Sequence, residues 1–284
     1  MYLSREALQK MLVDHDTIRF FTRIMDERHN ALAPFGILIL HGFSATLDSV
    51  KALYAPLKEL GIPVAMPLLA GHGASSPEAL RDSGWEEWLK DADQALQKLS
   101  IEADQIIVIG HSMGALLSLN LAVRYQGKVD SLVLAAPAIK LVSLFAPGRP
   151  LHFAAKLVSK IIRNWELKSL FFAPQCASCV PHYSWVPTAA IISFFELIKQ
   201  TLPILSRVKA PVFVLQCRRE STVLPESATI LCNKIGTEPS LKSILWLERS
   251  GHQIFCDADR ETAVQAITDY VDGRIHRNGA FFHS

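Results

Sequence analysis

Six short runs rich in Ile, Val and Leu recur along the chain, at Gly36–Leu40, Pro63–Leu68, Gln105–Gly110, Ser131–Ala136, Val212–Gln216 and Ser243–Leu247. Each is too continuous to alternate inward and outward, as a strand with one wet face would. Between them, Leu47–Leu60, Trp85–Leu99, Met113–Tyr125, Glu226–Ile235 and Arg260–Val271 carry apolar residues three or four apart, the period of a helix. Strand and helix in strict succession predict parallel strands joined by crossover helices. The expected class is therefore α/β, a mostly parallel sheet with helices on both faces. Ahead of this pattern, Leu3–Val13 reads as a short leading helix. The alternation of Ile18, Phe20, Thr22 and Ile24 reads as an added antiparallel edge strand.

The rhythm breaks once. Residues 138–207 contain no clear strand, but amphipathic pieces such as Phe153–Ile162 and Ala189–Gln200 are punctuated by Pro147, Pro150, Pro174, Pro181, Pro187 and Pro203. An insertion of this kind between two sheet strands predicts a helical cap over the carboxyl edge of the sheet, where open α/β sheets bind their ligands. The expected organisation is a core of residues 1–137 and 208–284 with a cap of residues 138–207. The apolar character of the cap implies a greasy pocket beneath it.

Composition narrows the partners. With 29 basic and 27 acidic residues the net charge is +2, and no dense basic cluster is present to track a phosphate backbone, so no nucleic-acid partner is expected. The first sixteen residues mix apolar positions with Arg5, Glu6, Lys10 and Asp14 and lack the apolar core of a secretory signal, which predicts a cytoplasmic protein. The longest apolar stretches, near Val129–Ala138 and Val186–Phe195, fall short of the roughly 18 residues a membrane span needs, so no integral span is expected. Five irregularly spaced cysteines read as reduced thiols. Cys176 and Cys179 form a lone CxxC without the second ligand pair that a zinc site requires. No phosphate-binding, dinucleotide or metalloprotease motif is found, and neither a cofactor nor a metal is implied.

The chemistry concentrates at Gly110-His111-Ser112-Met113-Gly114, directly after the run Ile106–Ile109 and directly before Leu116, Leu117, Leu119 and Leu121. This is the strand, sharp turn and helix context of a GxSxG nucleophile elbow. A serine hydroxyl is a weak nucleophile at neutral pH, so Ser112 needs a base within hydrogen-bond reach and a third group to orient that base. His252 follows the last apolar run and precedes the final helical segment, which places it on a loop at the carboxyl edge. His152 and His182 belong to the insertion, and His276 and His283 to a polar tail. Glu220 is the first carboxylate beyond the run Val212–Gln216 and is the candidate acid, with pairing to Arg218 or Arg219 as the alternative. Two backbone donors for an oxyanion are expected from the Met113 N–H at the elbow and the Phe43 N–H in the loop His41-Gly42-Phe43-Ser44. His41 reads as a brace for that loop, His72 as a loop histidine, and Trp85 and Trp88 as core.

These pieces together resemble the α/β-hydrolase family, and within it the bacterial carboxylesterase and monoacylglycerol-lipase branch. The resemblance rests on His41-Gly42-Phe43, Gly71-His72-Gly73 with Gly84-Trp85, Gly110-His111-Ser112-Met113-Gly114, Pro225-Glu226-Ser227-Ala228 and Ser250-Gly251-His252, and runs from about Gly36 to Val271. By position, Ser112 resembles the nucleophile, His252 the base, Glu220 the acid, and Phe43 and Met113 the oxyanion donors. Glu220 stands where the branch usually has aspartate, and Cys217 where many relatives carry glycine. The resemblance implies a serine ester hydrolase acting on a small-molecule ester with an apolar acyl chain, through an acyl-enzyme on Ser112. A thioesterase or carbon–carbon hydrolase on the same triad, and a non-catalytic ligand-binding module, are the competing readings. The leading helix is available for homodimerisation or for covering the sheet edge.

Overall fold

The computed structural model describes residues 32–167 and 183–279; the expected leading helix, the expected edge strand and the Cys176/Cys179 pair lie outside the described residues. Six strands form the main sheet: β1 (Ala33–Leu40), β2 (Val64–Ala65), β3 (Ala103–His111), β4 (Val129–Ala135), β7 (Val212–Cys217) and β8 (Lys242–Leu247). Their order is β2-β1-β3-β4-β7-β8, and the β1/β2, β3/β4, β4/β7 and β7/β8 pairings are parallel. Leaving β1 the chain turns toward one edge of the sheet, and leaving β3 it turns toward the other. Crevices of α/β sheets open at such a reversal.

Alternate strand residues face opposite sides. Phe35, Ile37, Ile39, Ile107, Ile109, Val133, Ala135, Phe213 and Leu215 pack with Val50, Leu53, Leu57, Ala263, Ile267 and Val271 into one buried cluster. The last three of these lie four apart on helix α7 (Arg260–Gly279), and Arg274 ties that helix to β4 through a two-pronged pair with Asp130 at 2.6 and 2.9 Å. On the other side lie helices α2 (Trp85–Leu99) and α3 (Met113–Arg124), against Leu38, Leu40, Ile106, Val108, Leu132 and Leu134. With both faces covered, the strands carry no polar alternation. Helix α3 is buried from Met113 to Val123. Its two polar residues are satisfied there, Ser118 by the Gly114 carbonyl at 2.8 Å and Asn120 by the Leu116 carbonyl and Thr201 at 2.8 Å.

Three expectations are corrected. The run Pro63–Leu68 pairs only at Val64–Ala65, because Pro63 and Pro67 have no N–H to give to a ladder. Leu47–Leu60 is not one helix but two 3-10 turns, Leu47–Ser49 and Lys51–Leu53, followed by the short α1 (Tyr54–Lys58). Pro56 removes a helical hydrogen bond and crowds the preceding turn. Residues 138–207 are not wholly helical: besides α4 (Ala155–Ile161) and α5 (Thr188–Thr201) they hold an antiparallel ribbon of β5 (Asn164–Glu166) and β6 (Trp185–Pro187).

Apolar length also exceeds expectation in one place. The helical stretch Thr188–Arg207 has 20 residues and is long and apolar enough, by composition, to cross a membrane. Its residues Ala190, Phe194, Leu197, Ile198 and Thr201 are buried, and α5 packs on α2 and α3, so the apolar character serves the core.

Packing is tight at the start of α3. A Cβ on Gly114 would run into the carbonyls of Leu40 and His41, and one on Gly110 into the Gly114 carbonyl and Ser118. We expect Gly114→Ala to lower the unfolding free energy by about 1–3 kcal/mol, measured as a fall in the urea midpoint at unchanged slope.

Candidate active site

Strand β3 delivers Ser112 to a corner that ordinary residues avoid. Its backbone lies at φ 56°, ψ −110°, a conformation costing on the order of 1–3 kcal/mol for a side-chain-bearing residue. The corner is held from outside: the Ser112 N–H donates to the Ala135 carbonyl at 2.9 Å, and Ser118 is bound back to Gly114. The hydroxyl therefore projects from the carboxyl edge of the sheet instead of lying along helix or strand.

His252 and Glu220 arrive from other strand ends. His252 Nε2 lies 3.0 Å from Ser112 Oγ, and His252 Nδ1 lies 3.1 Å from Glu220 Oε2. The three side chains that the sequence singled out thus form one hydrogen-bonded run. Glu220 is not a surface partner of Arg218. Its side chain is fully buried, while Arg218 pairs with Glu248 at 2.8 Å and lies over the Trp246 ring. Burial pushes the Glu220 carboxyl up, but the His252 ring and the N–H groups of Thr222 and Val223 outweigh it and hold the group below its ordinary value. The Thr222 N–H donates to Oε1 at 2.9 Å, which leaves Oε2 for the imidazole.

The loop carrying His252 is braced by groups that the sequence reading did not single out. His111 Nε2–H donates to the His252 carbonyl at 2.9 Å. Asp257 accepts the Gly251 N–H at 2.9 Å, Asp259 accepts the Arg249 N–H at 2.7 Å, and Ser250 accepts the Asp259 N–H at 2.7 Å. The imidazole is thereby fixed through its backbone on both sides. An Asp-x-Asp ahead of a helix was the available signal, but it also fits acidic residues placed simply to favour a helix start.

The loop after β1 packs against the same corner. A Cβ on Gly42 would lie 3.3 Å from Ser112 Cβ and 3.2 Å from His111 Nδ1, so this loop passes directly beside the serine. Among the described residues no acceptor pairs with the Phe43 or Met113 N–H. The latter opens α3, where the first N–H groups have no helical carbonyl to bind. His41 braces the loop as expected: its Nδ1–H donates to the Gly42 carbonyl at 2.9 Å, and its Nε2 accepts the Leu69 N–H at 3.1 Å. His72 is buried beside it with Nδ1–H on the Ala70 carbonyl, and Trp88, fully buried, donates to that same carbonyl.

Against this corner lies an apolar cavity of about 180 Å³. Phe43 and Thr222, neighbours of Gly42 and of the Glu220 carboxylate, line it together with residues that include Phe145, Val158, Trp165, Ile191 and Phe195. The Phe43 ring stacks on Phe194 of α5 with centroids 5.2 Å apart and planes 12° apart. On the other side of the loop, Ser44, Thr46, Asp48, Gly73, Ser75 and Tyr183 surround a second, more polar cavity of about 470 Å³.

A sequence profile described as serine aminopeptidase, S33, matches residues 35–259. The chain belongs to this hydrolase family. Within reach of this S33 hydrolase are a carboxylesterase of Bacillus subtilis (strain 168), 27% identical over 83% of this chain and 92% of that protein, and a thermostable monoacylglycerol lipase of Bacillus sp. (strain H-257), 25% identical over 84% and 90%. A solved structure reported with the metagenome-derived lipolytic enzymes LipS and LipT superposes at a TM-score of 0.76 with 25% identity, over 85% of this chain and 94% of that one. The monoacylglycerol lipase of Paleococcus ferrophilus shares the fold at a TM-score of 0.68. The mostly parallel sheet with helices on both faces is thus that of the α/β hydrolases.

Three buried histidines give the S33 hydrolase a pH signature. Burial pushes His41 down to about 4, and burial together with a neighbouring histidine pushes His72 and His111 down to about 3. In the unfolded chain the same rings take protons near the ordinary value of 6.5. The unfolded state therefore binds more protons below that pH, and stability falls on acidification from there until the folded-state values are reached. The slope is up to about 1.4 kcal/mol per pH unit for each histidine. Urea unfolding between pH 7 and pH 5 should show a midpoint that drops steadily, with about a third of the drop removed in His72→Phe relative to its own value at pH 7.

Proposed function

We propose that this S33 hydrolase is a serine ester hydrolase of the carboxylesterase or monoacylglycerol-lipase type, acting on small-molecule esters with an apolar acyl chain. The observation that carries the reading is the unbroken run from Ser112 Oγ through both ring nitrogens of His252 to Glu220, at 3.0 and 3.1 Å, beside an apolar cavity. The curated relatives named carboxylesterase and monoacylglycerol lipase support the choice of bond. A peptide substrate with a free amino terminus would call for a carboxylate beside the acyl group. Among the described residues the cavity wall contains none.

In this reading Ser112 Oγ attacks the ester carbonyl while His252 Nε2 takes its proton. Glu220 holds Nδ1–H toward itself and stabilises the imidazolium that forms, without accepting the proton. The carbonyl oxygen becomes an oxyanion received by the Phe43 and Met113 N–H groups, each such donor being worth about 3 kcal/mol in a site closed to water. His252 then returns its proton to the departing alcohol, and water repeats the sequence on the acyl-enzyme. Residues 138–207 act as the cap, with the acyl chain in the apolar cavity and the alcohol leaving on the polar side of the Phe43 loop. A reducing, cytoplasmic setting belongs to the same reading, supported by the thiols of Cys217 and Cys232.

A fluorophosphonate probe should label the wild-type protein at neutral pH and fail to label Ser112→Ala; absence of wild-type labelling would favour a non-catalytic module. Glu220→Gln should keep its fold and lower kcat by about 10²- to 10⁴-fold, and turnover near wild type would place the acid elsewhere. A panel of p-nitrophenyl esters and matched thioesters of rising chain length separates the ester reading from the thioester one.

A further inference from the structure

In the proposed mechanism the Phe43 N–H is one of two donors to the oxyanion, yet its peptide has little of its own to hold it. Among the described residues neither the N–H nor the carbonyl of Phe43 takes part in a hydrogen bond. The turn around it closes on a long bond, 3.4 Å from the Ala45 N–H to the Gly42 carbonyl. Within that turn Ser44 lies at φ 57°, a left-handed conformation that residues with side chains seldom adopt. Such a loop keeps its place through what its side chains touch.

The Phe43 ring touches three other rings. His72 and Trp88 meet it at steep angles, 81° and 55°, with centroids 6.2 and 5.7 Å away. Both belong to the core, and both are locked by hydrogen bonds to the Ala70 carbonyl. Phe194 differs in origin and in angle. It comes from the insertion, on α5, and lies nearly parallel to Phe43, at 12° and 5.2 Å. Its own place is set by the core: next to it, Ser193 Oγ accepts the Trp85 N–H at 2.8 Å at the start of α2, and at the far end of α5 Thr201 accepts from Asn120 of α3 at 2.8 Å. An aromatic side chain has only two rotatable bonds between ring and backbone. A ring held at its edge by His72 and over its face by Phe194 therefore fixes the Cα it hangs from, and with it the neighbouring N–H.

We propose that Phe194 is a positioning residue for ester hydrolysis: by stacking on Phe43 it holds the Phe43 N–H where the oxyanion forms. Its effect runs through the Phe43 ring, and the role rests on the ester-hydrolase reading given above. Without Phe194 the ring keeps its edge contacts but is free to tilt, and the amide shifts with it.

Phe194 and Phe43 both line the apolar cavity, so an effect on long-chain esters alone would report only a changed pocket. The test therefore uses the full chain and p-nitrophenyl acetate, whose acyl group is too short to fill the cavity, and separates kcat from KM. Phe194→Ala should lower kcat on the acetate about 10- to 100-fold, because one oxyanion donor is worth about 10²- to 10³-fold and a shifted one loses part of that. KM should stay within about twofold, as expected when the lost interaction belongs to the transition state. Affinity for trifluoroacetone, which adds to Ser112 as a tetrahedral oxyanion, should fall by a similar factor. Phe194→Leu keeps apolar bulk for folding but lacks the flat face, and should also lose kcat; Phe194→Tyr keeps the ring and should restore it. Circular dichroism and the urea midpoint identify the folded variants, and Phe194→Leu decides the question if Phe194→Ala does not fold. The proposal is overturned if the folded variants turn over the acetate at the wild-type kcat, if the loss falls on KM for long-chain esters alone, or if Phe194→Tyr is no better than Phe194→Leu. A wild type that hydrolyses no ester sinks the catalytic reading and this role with it, whereas a working wild type indifferent to Phe194 sinks this role alone.

Discussion

No side chain fits at Gly110 or Gly114, two residues to either side of Ser112, and the rest of the site is arranged around that crowding. Gly110 faces the first turn of α3, and Gly114 faces the carbonyls at the end of β1. The close approach brings the end of β1 beside the end of β3, at the point where the chain leaves them in opposite directions. It also puts the loop of Gly42 and Phe43 within van der Waals distance of the serine. Backbone strain at Ser112 is tolerated because packing on all sides determines it, from the Ala135 carbonyl to the buried length of α3.

Around this corner the polar groups are held by other polar groups buried with them. His252 is fixed through its carbonyl by His111 and through its preceding residues by Asp257 and Asp259. Glu220 is fixed by the Thr222 N–H. Such networks favour one geometry because a misplaced member would leave a buried group unpaired, at a cost larger than the hydrogen bond itself contributes. The neutral state of His41, His72 and His111 is part of the same arrangement, since each offers one ring N–H to a backbone carbonyl.

Legibility followed the physics of burial. Strands covered on both faces read as unbroken apolar runs, so five of the six main-sheet strands lay where Ile, Val and Leu clustered. Helix α2 began and ended as its pattern indicated, because Gly84 and Glu87 cap its start. Ser112, Glu220 and His252 were visible because a strand end preceded each one. What stayed hidden depended on partners distant in sequence. Asn164–Glu166 is too short and too polar to announce itself as a strand and exists through pairing with Trp185–Pro187. The bracing by Asp257 and Asp259 depends on how residues 249–251 fold back on them.

The three residues of the hydrogen-bonded run come from the ends of three different strands. His252 is 140 positions from Ser112 and 32 from Glu220. Contacts of such long range close only after intervening chain has given up its loop entropy. No local segment can therefore assemble the whole hydrogen-bonded run. A chain that has formed β3 and α3 but not yet seated β8 holds the bent corner at Ser112 without the imidazole beside it, and in the proposed mechanism such a nascent or damaged molecule stays chemically silent until its last strand is home.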